Sequence, residues 1–354
     1  MRKIPLFLIK EFIQHKREIY VLFIIVLFPL MLIFFANMFV TVIPKDTPIL
    51  IIPQSKSVTQ SDLDYLTGMI EIFAEPTVKD CTLNDAKNML LKEEYYALVS
   101  VPPDVRKVIS GETEGAINLY FDNGLLPVAK ISEYVVNMIQ IQLGGNEGIL
   151  SVEYLGKEVS MPLYLLPGLL IIDLTVLMNL LLSNELIAEK RLLTKLKINK
   201  LLNQAVIGKL IFFDIAIIVQ FAILYLASIY YELPVNIGVF VILVACLTGL
   251  YLGLLSMIAT LICKSAALGN FMNILISTLT IALSSAIYPI GFMDIVFQKI
   301  AHLLPMYYSS VMLRCFMIKE VEPNIFSGEF LYISIFTLCL FFILIIVLRR
   351  SIND

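Results

Sequence analysis

Long uncharged runs and one long polar stretch divide this chain of 354 residues. From Ile19 to Pro44 the segment IYVLFIIVLFPLMLIFFANMFVTVIP carries no charge; as a helix it extends about 39 Å, more than the roughly 30 Å hydrocarbon layer of a bilayer. About 115 mostly polar residues follow, and apolar runs then return almost end to end up to Leu348. The pattern predicts six transmembrane helices, at 19–44, 162–183, 206–230, 235–262, 266–288 and 330–348. Between the last two, GFMDIVFQKIAHLLPMYYSSVMLRCFMI is apolar but broken by Gly291, Asp294, Lys299 and Pro305. Irregular backbone at membrane depth must be shielded by protein, so residues 291–314 are expected to form a re-entrant pair of short helices on the outer side. Ahead of the first span, Ile4, Phe7, Leu8, Phe12 and Ile13 recur at helical period away from Lys10, Gln14 and Arg17. That spacing predicts an interfacial helix over 1–18 on the inner leaflet.

The polar stretch, 45–161, has its own order. Runs rich in Ile, Val and Tyr at 49–53, 76–80, 96–102 and 116–122 read as strands, and helical patterns at 58–73, 83–94 and 103–110 lie between them. Thr82 with Asp85 three residues on opens the second of these helices as a capping box. Alternation of this kind predicts a small α/β domain, and a longer helix at about 127–143 leads back toward the bundle of five spans in 162–354.

Composition agrees: 59% hydrophobic and 16% charged residues are too apolar for an ordinary soluble domain. Charge then orients the spans. Arg2, Lys3, Lys10, Lys16 and Arg17 precede the first, Lys190, Arg191, Lys195, Lys197, Lys200 and Lys209 cluster between the second and third, and Arg349 and Arg350 close the last. Basic flanks stay cytoplasmic, so both termini and the middle cluster are assigned to the inside of the cell membrane. The 45–158 stretch, with 17 acidic against 9 basic residues, is assigned to the outside. The first apolar run exceeds the length of a signal-peptide core and no small-residue cleavage site follows it, so it is expected to stay attached.

Catalytic patterns are absent from the sequence. Two histidines, His15 and His302, stand outside any HExxH pattern; there is no GxSxG elbow, and Gly208-Lys209 is followed by Leu210 rather than the Ser or Thr of a phosphate loop. Five cysteines show no CxxC spacing, and no metal site is expected. The chain is therefore not expected to be an enzyme or to hydrolyse nucleotide. One cytoplasmic stretch, NELIAEKRLLTKLKINKLLNQAVIGK, stands out: Leu192, Leu193 and Leu196 share a helical face opposite Lys190, Thr194 and Lys197. An amphipathic helix at 185–203, held between two spans, can push on both.

Four segments together resemble the permease subunits of ABC type-2 exporters, in the branch with a large external domain between the first two spans. Ile9 to Ile33 looks like that family's entry segment, with an Arg17-Glu18 pair and Pro29 in the span. Tyr95 to Gly124 is similar to the strand, Pro-Asp, helix, Gly, strand, Asp order of its external domain. Ala188 to Lys209 corresponds to its cytoplasmic coupling helix, and Pro289, Leu304, Pro305, Tyr308, Leu313 and Arg314 fall on its late signature. The chain departs from many relatives in having Leu192-Leu193 before Thr194, and Asn199 where a proline would stand.

The resemblance implies two permease chains, identical or paralogous, and two separate ATPase subunits that carry ATP and Mg; this chain itself binds no cofactor and no nucleic acid. Glu189, Lys190, Arg191, Thr194, Lys195, Leu196 and Asn199 are the expected ATPase-coupling residues, and Pro289, Pro305, Tyr308 and Arg314 the expected outer gate. Asp173 and Asp214, carboxylates within predicted spans, are candidates for the substrate path or for pairing with a neighbouring helix. An amphipathic cargo (lipid, drug or peptide) is expected; a sodium exporter, or a non-transporting signalling or mechanotransmission protein, are the alternatives.

Overall fold

The structure is a computed structural model that describes residues 46–143, 147–182, 202–263 and 266–351. The first predicted span, the interfacial helix and most of the 185–203 segment lie outside the described residues.

The polar stretch folds around a five-stranded sheet. In chain order the elements are β1 (Pro48–Pro53), α1 (Gln60–Ile70), β2 (Glu75–Val78), α2 (Leu83–Leu91), β3 (Ala97–Val101), α3 (Val105–Ser110), β4 (Ile117–Asp122), α4 (Leu126–Gln142) and β5 (Leu150–Leu155). Strand order is β2-β1-β3-β4-β5, parallel except where β3 meets β4. Strands β1 and β3 are apolar along nearly their whole length and buried on both faces, as expected where helices cover a parallel sheet. Ile49, Ile51, Val99 and Val101 face one core with Leu63, Leu66 and Ile70 of α1; Leu50, Ile52 and Leu98 face a second with Ala86 and Leu90 of α2.

The remainder is helical: α5 (Met161–Val176), α6 (Leu202–Tyr230), α7 (Val239–Ile262), α8 (Ala266–Ala282), α9 (Ile295–Ala301), α10 (Pro305–Arg314) and α11 (Ser327–Ser351). Among the described residues, four stretches are long and apolar enough to cross a membrane, Met161–Asn179, Val206–Tyr230, Val239–Ile262 and Pro323–Leu348, with a shorter apolar helix at Ala267–Ala282. Helix α7 is the centre of the bundle and packs against α5, α6, α8, α10 and α11. Helix α6 instead turns Ile211, Phe212, Ile215 and Ile223 outward, a surface suited to lipid or to a second protein.

Two short helices, α9 and α10, occupy the interrupted stretch between α8 and α11. Asp294 caps α9 by accepting from Val296 N at 2.9 Å, so a residue that breaks the apolar run also starts a helix. Pro305 stands in the first turn of α10, where its missing N–H costs nothing. Helix α8 stops at Ala282, six residues short of the predicted 288. The chain turns there through Ser285 at φ 60°, and the backbone of Ala286 lies against α5 at Gly168. A Cβ on Gly168 would fall within 1.9 Å of the Ala286 carbonyl oxygen, so only glycine admits this approach.

Candidate functional site

The most heavily charged buried point in the described residues lies where the α/β unit meets the turns after α8 and α10. Arg314, at the end of α10, is fully buried and donates through Nη1 to both carboxylate oxygens of Glu93, at 2.7 and 2.6 Å. Its Nη2 donates to the Ser285 carbonyl, and the Tyr164 ring of α5 lies 5.0 Å from the guanidinium. Lys319, in the π-helical turn Cys315–Lys319 that follows α10, donates to Glu93 at 3.0 Å and to the Leu91 carbonyl at 3.2 Å, and pairs with Asp122 at 2.6 Å. Two cations and two carboxylates are thus interleaved with no net charge.

Glu93 reaches this position through an unusual backbone. It follows the last turn of α2 with φ 62°, and the bonds Glu93 N to Leu90 O and Glu94 N to Met89 O close the helix. That is the Schellman pattern, in which the left-handed residue is usually glycine. A glutamate there accepts backbone strain, and in return its carboxylate is delivered into the interface. Burial by itself would push the Glu93 carboxyl up, but the neighbouring Arg314 and Lys319 cations outweigh it and hold the group below the usual carboxylate range. For Asp122 the balance runs the other way: burial, opposed by Lys319, leaves its carboxyl raised.

Uncharged contacts extend the same seam. Gly291 N donates to the Tyr96 hydroxyl at 3.0 Å, and a Cβ at Gly291 would strike the Tyr96 ring at 2.0 Å. Gln298 Nε2 donates to the carbonyls of Asp46, at 2.8 Å, and Met293, at 2.9 Å; Tyr307 donates to Glu93 O at 3.2 Å. The α/β unit is therefore bolted to α9 and α10 rather than tethered by its two connections alone.

Of the residues predicted from sequence, Arg314 sits at the centre of this seam. Pro305 and Tyr308 share its helix, with Tyr308 donating to His302 O at 2.8 Å across the α9–α10 turn, and Pro289 caps the 3-10 turn Ile290–Phe292. Asp173 and Asp214 lie elsewhere, on α5 and α6. Asp173 is exposed on the single chain; Asp214 is half-buried, with Oδ1 buried and lacking a hydrogen-bond partner among the described residues. Glu189, Lys190, Arg191, Thr194, Lys195, Leu196 and Asn199 fall outside the described residues. Glu93, Lys319, Asp122 and Tyr164 were not foreseen, and the one signal available was that Arg314, in an apolar run, needs an anionic partner.

The family model for the ABC-2 type transporter matches residues 117–318, more than half of the chain, from β4 through α10. The chain belongs to the ABC-2 type transporter family. It is a membrane transport protein with a permease role, built from transmembrane helices. Neither the curated proteins nor the solved structures compared with it gave a match. The matched region of this ABC-2 protein includes Asp122, Tyr164 and Arg314, whereas Lys319 follows its last residue and Glu93 lies well before its first.

Proposed function

We propose that this chain is the membrane permease of an export system, moving an amphipathic substrate outward through the cell membrane with energy from a separate ATPase subunit. Membership of the ABC-2 family is the observation that carries the reading. The sequence lacks a phosphate loop, which is consistent with ATP and Mg residing on the partner. In this reading two permease chains pair in the membrane, the 45–161 domain stands outside, and the first predicted span brings the number of spans to six. The 185–203 segment meets the ATPase through Glu189, Lys190, Arg191, Thr194, Lys195, Leu196 and Asn199. ATP binding favours one arrangement of the dimer over the other, and that difference drives opening.

Arg314 and the seam around it serve as the outer closure. Helix movements started at the cytoplasmic side reach the ends of α5 and α8, and the Arg314 contacts to Tyr164, Ser285 and Glu93 join those ends to the external domain. Co-purification with the ATPase subunit tests the coupling. Reversing charge with Arg191→Glu and Lys195→Glu is expected to weaken the complex about tenfold or more and to abolish permease-dependent stimulation of ATP turnover. Unchanged assembly and turnover in the double variant would refute the assignment.

A further inference from the structure

A cavity of about 750 Å³ opens between the α/β unit and helices α9, α10 and α11, next to the charged seam, with which it shares Gln298 and Tyr307. That volume is within the range of sites that hold small organic ligands. Its chemistry is selective. The Tyr307, Tyr308 and Tyr332 hydroxyls already donate to the carbonyls of Glu93, His302 and Leu303, at 3.2, 2.8 and 2.8 Å. The rings therefore offer faces more than donors, and Tyr308 and Tyr332 meet edge to face with centroids 5.4 Å apart. An aromatic face attracts cations through its quadrupole. The cavity already shows this preference, since Lys92 Nζ stands 5.5 Å from the Phe326 ring centroid.

Charge points the same way. Lys92 is committed to Glu329 at 2.8 Å, and the charges of exposed Glu75 and Lys299 in the lining sum to zero. Half-buried Glu94 is left as the excess carboxylate, and Glu329 Oε2 is a buried acceptor with no partner among the described residues. His302, half-buried on the same wall, adds no fixed charge when neutral. We propose that this cavity binds an amphipathic organic cation, with Glu94 as its counter-ion and the faces of Tyr308 and Tyr332 against its apolar body. The proposal rests on the export reading and makes that cation the cargo. Burial raises the Glu94 carboxyl against the pull of Lys92 and Lys79, and neighbouring Glu329 adds to the rise.

Binding of radiolabelled tetraphenylphosphonium to the full chain in phosphatidylglycerol nanodiscs tests the proposal, with empty discs subtracted and neutral triphenylphosphine oxide as competitor. Glu94→Gln is expected to weaken binding about tenfold, Tyr332→Leu about threefold, and the neutral competitor should displace little. Equal binding by folded Glu94→Gln protein, or displacement by the neutral compound at matching concentration, overturns it. Should Glu94→Gln fail to fold, Tyr332→Leu decides: undiminished binding overturns the proposal. Phosphatidylcholine discs separate the sources. With phosphatidylethanolamine discs, also zwitterionic, as the reference, weaker binding in phosphatidylcholine identifies a lipid trimethylammonium headgroup as occupant, equal binding a free amphiphile, and both uphold the cationic class. No cation binding by the wild-type chain with intact ATPase assembly sinks this proposal alone; intact binding without assembly sinks the export reading instead.

Discussion

At the residue scale, a buried Arg-Glu pair is expensive to desolvate, and replacing it whole with apolar groups can be harmless. Removing one partner is a different matter, because the other is stranded. Arg314→Leu leaves Glu93 with Lys319 alone and is expected to destabilise the protein by about 3–5 kcal/mol. Arg314→Lys should fall between, since an ammonium cannot contact both Glu93 oxygens and Ser285 O in one plane. Thermal unfolding in detergent measures both, and a Leu variant as stable as wild type would contradict the account. The pH dependence carries a sign. The Glu93 carboxyl is lowered on folding, so its contribution is fully present above the unfolded carboxylate range and is lost as pH falls from there through the lower folded value. The stability gap between wild type and Glu93→Gln should therefore shrink below about pH 4.5. Glu93 itself contributes to the rise at Asp122, so the comparison is made in an Asp122→Asn background. Arg314 was legible in sequence because a charge in an apolar run invites a question. Glu93 was not, because Lys92-Glu93-Glu94 reads as a solvated turn, and only the left-handed backbone after α2 turns one glutamate inward.

At the scale of elements, period and punctuation carried most of the information. The four expected strands at 49–53, 76–80, 96–102 and 116–122 lie within two residues of β1 to β4 at every end. The exception is β5, Leu150–Leu155, missed because LSVEYL stands at the sheet edge, half exposed, and has no continuous apolar run. The cap at Thr82 forms, with Asp85 N donating to Thr82 Oγ1 at 3.2 Å, but the full reciprocal box is at Thr59 and Asp62. The early end of α8 was hidden for a tertiary reason: nothing local in SSAIYP announces that Ala286 must meet Gly168. Gly168→Leu therefore tests the α5 contact. The added side chain cannot fit without parting α5 from the turn after α8, and a loss of at least about 2 kcal/mol is expected. Gly208, with open space around its Cβ, is the control, and Gly208→Ala should be near neutral or stabilising. Equal tolerance at both sites in thermal melts would contradict the packing described.

At the scale of the whole molecule, the arrangement has two ends. The α/β unit, the turn between α6 and α7, helices α9 and α10 and the start of α11 gather at one end of the bundle: Asn236 N donates to Met317 O at 2.8 Å, and Lys92 pairs with Glu329. The turn Leu177–Leu182 that ends α5, the start of α6 at Leu202 and the C-terminal turn of α11 belong to the other end. Coupling of ATP hydrolysis to an outer closure requires those ends to lie on opposite sides of the membrane. Basic flanks predicted that arrangement from sequence, whereas the bolting of the domain to α9 and α10 rests on pairs more than 200 residues apart, such as Glu93 and Arg314, and no local pattern encodes it. Labelling by a membrane-impermeant thiol reagent in intact cells is the most direct measurement, made on a chain whose five native cysteines have been replaced. Gly111→Cys should react in intact cells, and Gln204→Cys only after permeabilisation; the reverse pattern, or equal reactivity at both, would contradict the account.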